Sequence, residues 1–197
     1  MKKTVQEILA IEETLSEKVR RCGVQAGCQE NTFSALRPGL LQAWSPELLE
    51  SCRGDLLAAQ TEGRNLLCEQ LAYRLTCLDP EKYAVLKRGL PMTSMEKLWL
   101  TDLICAASLS WLEALRGRYP HLTGRLLHKD WDAAFLEACL QGELLSYSVE
   151  TLRCYAALVD RYQRESVNLW EQAMENTVVQ EGFPNLESAE SRWRKAM

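Results

Sequence analysis

The sequence predicts an all-α protein, a single-domain helical bundle of five to seven helices. Apolar residues recur at helical spacing along most of the chain. No stretch alternates apolar and polar residues for long enough to compete as a strand. Glycine, proline and capping residues divide the helical stretches at intervals that suit a bundle.

At 197 residues the chain is expected to be one domain, or one with a helical appendage. Folding at this size removes roughly 70% of the unfolded chain's surface, so the core needs no metal or disulfide to support it. Residues 1–182 are expected as the helical domain and residues 183–197, ending SRWRKAM, as a polar, mobile tail. A net charge of −4 gives no electrostatic case for nucleic acid or an anionic membrane as partner.

The first helix spans residues 3–21. Its stripe is Val5, Ile8, Leu9, Ile11, Leu15 and Val19, and Glu12 and Glu13 flank it as surface residues. With carboxylates by residue 7 and no apolar run of signal-peptide type, the start is not expected to be a signal peptide. The eight cysteines are therefore expected as free thiols in a reducing cytoplasm. No CxxC pair exists, and Cys22–Cys28 is too wide for a zinc knuckle, so no metal site is expected.

Two glycines then lead to Cys28-Gln29-Glu30-Asn31, read as a loop feeding a short helix over 29–37 that Pro38-Gly39 stops. A thiol at a helix start has its thiolate favoured.

Ser45-Pro46 opens the organising helix, residues 46–77, with a bend expected near Gly54 or Gly63. Asp55, Glu62 and Glu69 are seven apart and would form one acidic stripe. Gly63-Arg64-Asn65 interrupts it, and a mid-helix glycine costs about 1 kcal/mol relative to alanine.

Ser94 caps the helix over 95–116, which is apolar nearly all round apart from Asp102 and Glu113 and is expected to be the most buried. Its longest uncharged run is ten residues, too short to cross a bilayer. Asp102 is a candidate buried acid or a solvent-facing N-terminal residue.

A loop of about a dozen residues follows with both histidines, His121 and His128. Asp130 or Asp132 caps a helix toward Tyr147, on which Glu143 and Tyr147 share a face. Ser148 caps a final long helix over 149–179 that Gly182-Phe183-Pro184 ends.

CQENTF at 28–33, the DL…GRNLL…E pattern from Asp55 to Glu69, Tyr119-Pro120 and GELLSYS at 142–148 together resemble domain-of-unknown-function family 4125. That family consists of uncharacterised bacterial and archaeal proteins of about this length. The resemblance implies a single domain and no particular activity.

These motifs define the candidate site. Cys28, Glu69 and Glu143 are the catalytic candidates, and Gln29, Asp55, Arg64, Asn65 and Tyr147 the ligand contacts. If their helix faces meet, they line a polar pocket inside an apolar bundle, and the protein is a small-molecule binder or an enzyme of unknown reaction. Arg64 would anchor a small anionic molecule, and the cofactor is unknown. The alternative is an interaction or accessory protein, open to a protein partner, whose polar residues form a structural hydrogen-bond network. A di-metal carboxylate bundle needs Glu-x-x-His pairs, which this chain lacks. Arg64 is expected to pair with Glu69 or Glu143, with Glu143 favoured because Glu69 points partly away.

Overall fold

A computed structural model describes residues 2–21, 33–127 and 131–195. Among them are no strands and eleven α-helices: α1 (Lys2–Arg21), α2 (Arg37–Ala43), α3 (Pro46–Thr61), α4 (Leu66–Leu78), α5 (Pro80–Leu86), α6 (Met95–Arg118), α7 (Pro120–Leu126), α8 (Ala133–Ser146), α9 (Val149–Arg164), α10 (Leu169–Gln180) and α11 (Leu186–Arg194). The all-α class holds, and the helix count of five to seven is too low. Two of the extra helices come from breaks inside long helical patterns, and two more, α7 and α11, from segments read as loop and tail.

The organising helix is two helices. Gly63 turns the chain with φ +71, a conformation that glycine adopts without a Cβ penalty. Asn65 then caps α4, its Oδ1 accepting from the N–H groups of Leu67 and Cys68 at 3.0 and 3.3 Å. The predicted acidic stripe is thereby split: Asp55 sits on α3, Glu62 ends it, and Glu69 is buried on α4. The 149–179 pattern breaks in the same way, at Ser166 with φ 56, and Asn168 caps α10.

Pro38-Gly39 does not stop a helix but lies in the first turns of α2, where proline is tolerated. The expected loop after Arg118 contains α7. The region read as a polar tail holds α11, whose Leu186 and Ala189 are buried and whose Glu190 accepts from the backbone N–H groups of His121 and Leu122.

Ser45, Ser94, Asp132 and Ser148 each accept a hydrogen bond at a helix start, as their positions predict. α4 packs along α8, α2 along α10, and α6 on α8, α9 and α10. A Cβ on Gly142 would lie 2.6 Å from the backbone oxygen of Gln70, so α8 crosses α4 closely only because that residue is glycine.

α6 departs from its expected place. Nine of its 24 residues are buried, against eight of 13 in α4. Asp102 faces solvent, as do Met95, Trp99 and Leu103. By length and composition α6 is apolar enough to cross a membrane, and 44% of its most apolar window is buried within the protein.

Candidate functional site

Two ion-pair groups contain most of the predicted site residues. The inner one is centred on Arg37, at the first position of α2. Its Nε donates to both oxygens of Glu12 at 3.1 Å, and its Nη2 to Glu12 Oε1. Nη1 donates to Glu143 Oε1 at 2.7 Å, and Nη2 also to the Tyr147 hydroxyl at 3.0 Å. That hydroxyl donates in turn to Glu143 Oε1 at 2.8 Å. The guanidinium carbon lies 5.1 Å from the centre of the Trp44 ring, within range of a cation–π contact. Helices α1, α2 and α8 are thus joined at one buried cation.

Burial alone would lower the Arg37 pKa, but Glu12, Tyr147 and Glu143 outweigh it and hold the guanidinium well above its ordinary value. Burial, opposed by Arg37, raises the Tyr147 phenol well above its usual range. Burial also pushes the nearby Cys52 thiol up to about 12, which keeps it protonated and unreactive at neutral pH.

The outer group lies at the α3–α4 junction. Arg64 Nε donates to Glu62 at 2.7 Å, while Nη1 donates to both oxygens of Glu69 at 2.7 and 3.0 Å. Arg64 is one-third exposed and Glu69 is almost wholly buried. Nη2 of Arg64 has no hydrogen-bond partner among the described residues. The Asn65 side-chain amide donates to the Leu15 carbonyl at 3.1 Å, which pins the junction to α1.

Beside Arg64 opens a cleft of about 370 Å³ lined by Glu62, Arg64, Arg88, Gly89, Leu90 and Pro91. The far wall is held in place where the Tyr73 hydroxyl donates to the Pro91 carbonyl at 3.2 Å. Lys97 is buried near this group, with no carboxylate at ion-pair distance among the described residues. Burial lowers its pKa, with Asp55 and Glu69 acting in the opposite sense.

The pairing of Arg64 is therefore with Glu69, and the favoured partner, Glu143, belongs to Arg37. The two groups share no hydrogen bond. Asp55 joins neither ion-pair group; its Oδ2 accepts from the Ser148 N–H at 2.8 Å, tying α3 to the start of α9. Cys28 and Gln29 lie outside the described residues, as do His128 and Asp130. Among the described residues no group of three His, Cys, Asp or Glu side chains is placed to hold a metal ion.

Sequence reasoning missed Arg37, Glu12, Arg88 and Lys97. Glu12 did carry a signal. It falls between Ile8 and Leu15 at the spacing of the core stripe Ile8, Leu15, Val19, so it faces inward and needs a cation there. Arg37 carried a weaker one, since Pro38 after it suits a helix start.

The family model described as "Protein of unknown function (DUF4125)" matches residues 2–191. No curated protein and no solved structure matches the chain.

Proposed function

We propose that this chain, which belongs to the DUF4125 family, binds a small anionic molecule in the cleft beside Arg64. The observation that carries this reading is the set of uncommitted donors there. Nη2 of Arg64 is free among the described residues and Arg88 makes no ion pair among them, so two guanidinium groups line the cleft against the single carboxylate of Glu62. A guanidinium held by Glu62 and Glu69 is preorganised, so a carboxylate or phosphate group meets it without first ordering the side chain. Both oxygens of Glu69 are engaged by Arg64, so Glu69 positions the guanidinium rather than taking a proton from a substrate.

The structural reading fits the other group. Every nitrogen of Arg37 is engaged within the fold, and the Tyr147 hydroxyl both accepts and donates. Glu143 and Tyr147 thus act in architecture, fixing how α1, α2 and α8 meet. Cys52, Cys77, Cys105 and Cys154 are free thiols, which suits a reducing cytoplasm.

Pyrophosphate and citrate serve as probes in a thermal-shift titration. A ligand at about 100 times its Kd adds roughly 2.7 kcal/mol of stability. The wild type should show a saturable rise in Tm with one of them, and Arg88→Ala and Arg64→Ala should abolish it. No response from the wild type to either anion counts against the cleft as an anion site.

A further inference from the structure

Residues 79–93 run from the end of α4 to the serine that caps α6, and part of this stretch, Arg88 to Pro91, forms the far wall of the Arg64 cleft. Among the described helices α5 alone buries none of its residues, and the 3-10 turn after it, Lys87–Gly89, buries none either. Apolar burial is what ordinarily fastens such a segment to a bundle. Here Val85 is 75% exposed and Met92 98%. Some of its polar contacts are internal. The Asp79 carboxylate accepts from the Lys82 N–H at 3.1 Å and pairs with the Lys82 ammonium at 2.8 Å. The bundle reaches it from α4, where the Tyr73 hydroxyl donates to the Pro91 carbonyl at 3.2 Å. The stretch is an arm with a bend at each end, at Asp79-Pro80 and at Leu90-Pro91, and changes at a few such element-terminal residues are enough to swing a segment.

The two guanidinium groups of the cleft therefore stand on parts of different firmness. Arg64 is braced at the α3–α4 junction by Glu62 and Glu69, while Arg88 rides on the arm and makes no ion pair among the described residues. The charges decide what an incoming anion needs. Glu62 and Glu69 carry two negative charges against the one positive charge of Arg64. An anion on the free Nη2 of Arg64 thus enters a site already more than balanced, and a second cation has to accompany it. The one across the cleft is Arg88.

Resting on the anion-binding reading above, we propose that residues 79–93 are a lid: an anion held by Arg64 draws Arg88 across the cleft and closes the arm over itself. Closure removes water from both guanidinium groups at once, which strengthens their hold on the anion. It also makes the empty and the loaded protein differ in the freedom of one segment, with the bundle unchanged.

Trypsin reads that freedom directly, because Lys82 and Lys87 lie on the arm and Arg153 lies within α9 with its side chain also open to solvent. The full chain is digested with and without saturating pyrophosphate or citrate, and initial rates at each bond are followed by mass spectrometry. Without anion, cleavage after Lys82 and Lys87 should run at least about 10-fold faster than after Arg153. The anion that raises the Tm should slow cleavage after Lys87 by at least about 10-fold and leave that after Arg153 unchanged. Arg88→Ala keeps the Lys87 bond, and should be cleaved there as fast as the wild type but without protection. Cleavage after Lys87 no faster than after Arg153 overturns the lid. So does an anion that raises the Tm yet leaves the Lys87 rate as it was, or Arg88→Ala protected as fully as the wild type; these outcomes leave the anion site standing. A wild type whose Tm responds to neither anion overturns both readings.

Discussion

Arg37 is the residue on which the interior depends. It is a single cation between two carboxylates, and removing it leaves Glu12 and Glu143 facing each other in a site without water-exposed partners. Breaking one side of a buried ion pair costs about 3–5 kcal/mol. Arg37→Ala should therefore lose that much in urea denaturation, and a loss under about 1 kcal/mol would mean the carboxylates reach solvent. The neighbouring phenol adds a pH dependence. Tyr147 titrates higher in the folded chain than its ordinary value of 10.0. Its proton thus favours the folded state fully below pH 10, and stability falls as the pH rises past 10 toward the folded value. Tyr155, raised by burial, acts in the same sense. Tyr147→Phe should flatten the decline in stability between about pH 9 and 11. An unchanged slope would place the alkaline transition elsewhere.

At the scale of elements, the α4–α8 crossing depends on Gly142. A methyl group there meets the Gln70 carbonyl at 2.6 Å, and that oxygen belongs to backbone which has nowhere to yield. Overpacking of this kind costs about 1–3 kcal/mol. Gly142→Ala should lower stability within that range, while Gly54→Ala, where a Cβ meets open space, should hold or raise it. Equal effects at the two sites would contradict the close crossing. Helix starts were legible in the sequence because capping is local: Ser45, Ser94, Asp132 and Ser148 all cap within three residues of themselves. The Glu143–Tyr147 bond was legible for the same reason, being one turn apart on one face. The break at Ser166 was not, since serine at positive φ is uncommon and no glycine or proline marks it.

At the scale of the whole molecule, what escaped the sequence is pairing over distance. Arg37 reaches Glu12 across 25 residues and Glu143 across 106, and no local spacing predicts either. The leucines around Arg64 predict an inward side chain, yet the turn at Gly63 carries it to a part-exposed position. The apolar character of α6 nearly all round predicts a central place, and much of that surface faces outward. One comparison separates the two ion-pair groups: thermal melts of the wild type, Arg37→Ala and Arg64→Ala, each with and without pyrophosphate and citrate. The account predicts a large fall in Tm for Arg37→Ala, which strands two buried carboxylates, and a smaller one for Arg64→Ala, which strands Glu69 alone. It further predicts a ligand-induced rise in the wild type that Arg64→Ala alone removes from an otherwise stable fold. A fall in Tm for Arg64→Ala as large as that for Arg37→Ala, with no response to either anion in the wild type, would contradict it and make both groups architecture.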